Sequence, residues 1–146
     1  MKSLVVYDSQ FGNTKKIAEM IAETVKGKAV HVRDYKKEML TGVALLVTGC
    51  PIIGWRPSDG MVSFLSSLPE KSLIGVNIAA FDTRIKTFFS GDAVHKVNSQ
   101  LMKLGGKSIV DPEKFYVKGK EGPLIDGELD KAKTWALQML GQSQKS

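Results

Sequence analysis

Residues 5–25 read VVYDSQFGNTKKIAEMIAETV: an apolar run, a short polar loop, then a long amphipathic stretch. Ile17, Met20, Ile21, Thr24 and Val25 recur at i, i+3, i+4, i+7 and i+8, the stripe that a helix turns toward a sheet. A turn residue and an N-cap would be enough to join strand and helix, yet DSQFGNT supplies Ser, Gln, Asn and Thr together. In a doubly wound sheet, ligands lie outside the carboxyl ends of the strands, and this loop leaves its strand at that edge. Successive backbone N–H groups there converge on an anion, helped by the positive helix terminus. Ser9 and Thr14 add hydroxyls, Asn13 adds an amide, and Gly12 permits tight curvature. The stretch reads as a phosphate cradle with no cationic side chain inside it.

The kind of phosphate follows from what is absent. Neither the G-x-G-x-x-G of a dinucleotide site nor the G-x-x-x-x-G-K-[ST] of a P-loop is present, and the loop is too short to wrap a pyrophosphate. A terminal monophosphate remains.

Outward from this unit, strand and helix periods alternate. Near-continuous apolar runs at Leu4–Tyr7, Ala29–Val32, Val43–Thr48, Ile74–Phe81 and Ser108–Val110, the last resuming at Phe115–Val117, predict strands covered on both faces. A second helix is expected with Pro57 in its first turn, a face of Met61, Phe64, Leu65 and Leu68, and Pro69 as its stop. Val94, Val97, Leu101 and Leu104 make a third, ended by Gly105-Gly106. Asp126 is the expected N-cap of a last helix, with Glu128 and Asp130 favourable in its first turn. Its stripe reads Leu129, Ala132, Ala136, Met139 and Leu140. Residues 33–42 have room for only a short helical turn. Such alternation with short connections predicts one α/β domain over 1–146, a parallel sheet with helices on both faces and a frayed tail at 141–146.

The 146 residues, 42% apolar, can bury a full core. Cys50 is the only cysteine, which excludes an internal disulfide framework or a multi-thiolate metal site. His31 and His95 are not at ligand spacing. MKSLVVYDSQ turns polar too early for a secretory segment, and no apolar run approaches about 18 residues, so a soluble, cytoplasmic protein without membrane contact is expected. A net charge of +6 invites a nucleic-acid reading. The lysines, however, are scattered over different loops and element ends, with no arginine-rich or aromatic-interleaved basic run. An acidic partner or an anionic ligand accounts for the charge more economically.

The first loop resembles the signature of the flavodoxin family. That signature is an apolar pair, an aromatic, a hydroxyl residue, a small residue, Thr, Ala and an aliphatic, matched here by Val5, Val6, Tyr7, Ser9, Gly12, Thr14, Ala18 and Ile21. Chain length and element order also fit the short-chain members. The resemblance implies a doubly wound five-stranded parallel sheet of order 2-1-3-4-5. It also implies FMN as cofactor, with its phosphate held by Ser9, Gln10, Phe11, Gly12, Asn13 and Thr14.

Two further loops at the same edge would then grip the flavin ring. The first, TGCPIIGWRPSDG, resembles the family's ring-flanking loop, and assigns Pro51, Ile52, Ile53, Gly54 and Trp55 to the cofactor. Ile53 or Trp55 stands where an aromatic usually covers one flavin face. Pro51 replaces a frequent hydroxyl residue and removes a donor. Cys50 reads as a small buried residue. The second loop, AAFDTRIKTFFSGD, departs from the family's Gly-Asp pair and stacking tyrosine. It offers Phe81, Asp82, Thr83 and Arg84, with Phe88 at the tyrosine's offset. The Phe-Asp-Thr-Arg run, like GKEGPL at 119–124, resembles a less studied branch of flavodoxin-like proteins. Arg84 pointing inward, about 6 Å from the ring at an effective dielectric of about 20, would stabilise reduced anionic FMN by roughly 2–3 kcal/mol and raise its potential by roughly 100 mV. A solvated Arg84 and Lys86 would do neither.

The resemblance implies an FMN electron carrier between larger redox proteins, whose docking faces would be acidic to suit this basic chain. The alternative is a small FMN-dependent oxidoreductase acting on NAD(P)H, a quinone or a porphyrinogen. A phosphoacceptor domain would need Asp after the third strand, where Thr48-Gly49-Cys50 stands. A flavin-free interaction domain is a fourth reading, motivated by Pro51 and the altered third loop.

Overall fold

The computed structural model describes residues 1–53, 55–86 and 92–144. Along it run β1 (Ser3–Tyr7), α1 (Asn13–Val25), β2 (Lys28–His31), β3 (Leu45–Ile53), β4 (Arg56–Pro57) and α2 (Asp59–Ser67). There follow β5 (Asn77–Ile85), α3 (Ala93–Lys103), β6 (Lys107–Ser108), β7 (Glu113–Val117) and α4 (Glu128–Gln144). Two 3-10 turns, Val32–Asp34 and Lys37–Leu40, occupy the stretch expected to hold a short helical turn.

The sheet runs β2-β1-β3-β5-β6, with β7 also on β5 and β4 on β3. All pairs are parallel except β3 with β4. The expected order 2-1-3-4-5 is therefore inexact. A two-residue strand after a tight turn, Ile53 opposite Arg56, adds a short antiparallel member. The last strand is split into β6 and β7, both alongside β5.

Side chains alternate between the two sheet faces, as a two-residue period requires. Leu4, Val6, Leu46, Ile78 and Ala80 pack with Met61, Phe64, Leu65, Val94, Val97 and Leu101 of α2 and α3. Val5, Leu45, Val47, Ala79 and Phe81 pack with Ile17 and Ile21 of α1 and with Ala132, Trp135 and Met139 of α4. On α4 the buried stripe includes Trp135, whose Nε1–H donates to the Asp111 carbonyl at 3.1 Å, while Leu129 is exposed. Residues 141–144, expected to fray, remain helical.

Several boundaries moved: the strand expected at Val43–Thr48 is Leu45–Ile53, and the run expected at Ser108–Val110 pairs only as Lys107–Ser108. Pro57 lies in β4 opposite Ile52 rather than in the first turn of α2, and Ser58 precedes the helix. The run expected at Ile74–Phe81 becomes Asn77–Ile85, because residues 70–75 form a turn that leaves Ile74 exposed. At its other end β5 continues through polar Asp82, Thr83 and Arg84. Pairing with β3 as far as Pro51–Thr83 and with β7 as far as Ile85–Val117 satisfies the backbone there, and composition alone does not report it.

Candidate cofactor cleft

The first loop starts where β1 meets β3, the Asp8 N–H donating to the Gly49 carbonyl at 3.0 Å. Gly12 precedes α1 with φ +91°, a left-handed conformation that a side chain would strain although nothing crowds its Cβ position. The Ser9 hydroxyl curls the loop by accepting from the Gly12 N–H at 3.1 Å. Asn13 and Thr14 are buried, and among the described residues no acceptor meets either backbone N–H. The first turn of α1 holds no acidic residue, and the one side chain that reaches it among the described residues is Ser9, whose hydroxyl accepts from the Lys15 N–H at a long 3.4 Å. The positive end of α1 is left open for an anion.

His31 buttresses this loop from β2, opposite Tyr7 in register. Its Nδ1 accepts from the Arg33 N–H at 3.2 Å, and the Ser9 N–H approaches the other ring nitrogen, Nε2, at 3.4 Å. That nitrogen lies 3.3 Å from the Ser9 carbonyl oxygen and 3.5 Å from Asp8 Oδ1. Histidine spacing gave no hint of this role; only strand register brings the ring there.

Thr14 Oγ1 and Thr83 Oγ1 share a 2.8 Å hydrogen bond. This joins the first loop to β5 beneath a cleft of about 480 Å³. Of the expected site residues, Ser9, Gln10, Phe11, Asn13 and Thr14 line one side of the cleft, and Pro51, Ile52, Ile53, Thr83 and Arg84 line the rest. Ile85, Val117 and Lys120 also line it and were not anticipated. Ile85 and Val117 are register partners at the ends of β5 and β7, a relation the sequence carries only as two separate apolar positions. The volume and the mix of apolar walls with a polar end suit a small cofactor with a phosphate tail. A larger hollow of about 590 Å³, between Thr41 and Leu68, lies at the opposite strand edge, where doubly wound sheets do not bind ligands.

Other expected site residues lie elsewhere. Phe81 is core: 2% exposed, edge-on to Phe115 and Trp135 at 5.7 and 6.0 Å, it fills the space that the missing side chain of Gly49 leaves. Trp55 has φ +66° at the turn before β4, is 67% exposed, and does not line the cleft. Asp82 is wholly buried beneath the cleft and ion-paired with Arg84. Gly54 and Phe88 lie outside the described residues.

Arg84 is not a solvated charge. It is 5% exposed, and its guanidinium donates from Nε to Asp82 Oδ1 at 2.8 Å and from Nη2 to Asp82 Oδ2. Burial pushes the Asp82 carboxyl above the usual carboxylate range, and the guanidinium pulls it back. A cation bound in this way reaches the cleft with its field largely compensated, which weakens the potential shift expected of a bare Arg84. Lys86 is exposed, its Nζ 5.7 Å from the centre of the Tyr116 ring. Cys50 is buried, and its thiol is pushed up to about 12, chiefly by burial, which disfavours the nucleophilic thiolate at neutral pH. Among the described residues no cluster of His, Cys, Asp and Glu could hold a metal ion, and no helix is long and apolar enough to cross a membrane.

The flavodoxin family model matches residues 5–135. A flavodoxin of Maridesulfovibrio salexigens is 30% identical over 125 residues, covering 78% of this chain and 85% of the relative. A solved flavodoxin from the domain Archaea superposes with a TM-score of 0.79 at 22% identity, covering 99% of each chain. Flavodoxin 2 of Bacillus cereus gives 0.83 at 18% identity, over 97% of this chain and 99% of that one. The two structures show a shared fold. The family match and the 30% identical relative carry more: this chain belongs to the flavodoxin family, whose cofactor is FMN.

Proposed function

We propose that the cleft above β3 and β5 holds FMN and that the protein carries electrons between larger redox proteins. The observation that carries this reading is the mouth of α1, with the Asn13 and Thr14 N–H groups unpartnered among the described residues, opening into a cleft with apolar walls. Ser9, Gln10, Phe11, Gly12, Asn13 and Thr14 would bind the phosphate monoester through N–H and hydroxyl donors. Ile52, Ile53, Ile85 and Val117 would exclude water from the ring. FMN, when bound, supplies reversible electron transfer that needs no acid, base or nucleophile from the chain.

Phe11, Ile53 and Ile85 are exposed as well as lining the cleft. An apolar rim of this kind around a redox cleft suits transient docking. The net charge of +6 favours partners with acidic faces, met through long-range attraction that salt screens.

Incubation with FMN followed by desalting tests the reading. The protein should stay yellow, with flavin fluorescence quenched. A colourless protein and no calorimetric heat at millimolar FMN would end it. Consumption of NAD(P)H by the loaded protein alone would favour the oxidoreductase over the carrier.

A further inference from the structure

Beyond β7, Gly119–Gly122 closes a turn through a 2.9 Å bond from the Gly122 N–H to the Gly119 carbonyl. The Lys118 N–H donates to the Pro123 carbonyl at 2.8 Å, and Val117 bridges to Leu124, so the segment is a short hairpin rather than an open loop. Its tip is fastened to the start of α1. Asn13 Nδ2 donates to the Glu121 carbonyl at 3.2 Å, and a Cβ on Gly122 would lie 2.6 Å from Asn13 Oδ1. This fastening brings Lys120 into the cleft wall with Ser9, Asn13 and Thr14, across more than a hundred residues of chain. Two cations line the cleft among the described residues. Arg84 is held by Asp82, whereas Lys120 makes no ion pair among them.

Resting on the FMN reading above, we propose that Lys120 is the cation of the phosphate subsite: its ammonium pairs with the 5′-phosphate dianion and makes the cleft select FMN over riboflavin. The backbone amides of the first loop supply partial charges and direction; Lys120 supplies the full charge that this loop lacks. The hairpin held by Asn13 limits how far the ammonium must be ordered on binding, and the exposed position of Lys120 makes its contribution sensitive to salt.

Dissociation constants for FMN and for riboflavin, read from flavin fluorescence for the wild type, Lys120→Met and Lys118→Met, test this. Lys120→Met should weaken FMN about tenfold at low salt and leave riboflavin within about twofold. The FMN loss should shrink at about 0.5 M salt. Lys118→Met removes a neighbouring exposed charge that does not line the cleft and should leave both constants alone. If Lys120→Met alters both flavins equally or neither, or if Lys118→Met matches its effect, the proposal is overturned while FMN binding stands. A wild type that binds neither flavin overturns both readings.

Discussion

Thr14 and Thr83, far apart in sequence, lie with their hydroxyl oxygens 2.8 Å apart, both side chains buried. Their hydrogen bond ties the start of α1 to β5, joining the first-loop side of the cleft to its floor. Thr14→Val should destabilise the protein by about 1–3 kcal/mol, since the Thr83 hydroxyl is left buried and unpaired. Adding Thr83→Val should return part of that loss. Urea unfolding of the two single variants and the double variant checks the coupling, and strict additivity would contradict it.

The Asp82–Arg84 pair is buried, and removing one partner is expected to be severe. Arg84→Met should lower stability by about 3–5 kcal/mol at neutral pH, leaving a carboxylate in the interior without its guanidinium. The pH dependence has a definite sign. Burial already raises the folded Asp82 carboxyl above its ordinary value of 3.8, and losing Arg84 raises it further. The folded state then binds more protons than the unfolded one in the window above 3.8, so stability falls as pH rises there. Denaturation of Arg84→Met should therefore show its defect shrinking as pH drops toward that value, and Asp82→Asn in the same background should recover stability at pH 7.

Gly49→Ala tests the placement of Phe81 in the core. A Cβ at position 49 would come within 1.9 Å of the Phe81 ring, so the variant should lose about 1–3 kcal/mol or more through overpacking. Phe81→Leu in the same chain should relieve the clash, with thermal unfolding as the measure. No relief would mean that some neighbour other than Phe81 sets the constraint.

Cys50 should be chemically silent in the native protein. With the thiol pushed up to about 12 and the side chain buried, a disulfide reagent at pH 8 should label it only as fast as the protein opens. Labelling should accelerate with denaturant. Immediate stoichiometric reaction in buffer would contradict the burial.

Local periodicity was enough to reveal the alternation of strands and helices, the doubly wound class and the first loop. Apolar spacing, helix stops and backbone donor density are each written within a few neighbouring residues. Of the predicted α1 stripe, Ile17, Ile21 and Val25 are buried while Met20 and Thr24 are half-buried, and the α2 face of Met61, Phe64, Leu65 and Leu68 is buried as its period requires. Boundaries failed where a distant partner strand, rather than side-chain type, decides where a strand ends, as in β5 through Asp82 and Arg84 and in the β3–β4 turn.

The cleft was less legible for the same reason. Residue types alone identify Ser9 to Thr14 as a dense set of donors beside a helix mouth. Register and packing decided the rest: Phe81 enters the core because Gly49 leaves it room, Arg84 is captured by Asp82, and Lys120 reaches the cleft because Asn13 holds its turn. Side-chain chemistry travels with each residue, whereas burial and pairing belong to the chain segments that folding places beside it.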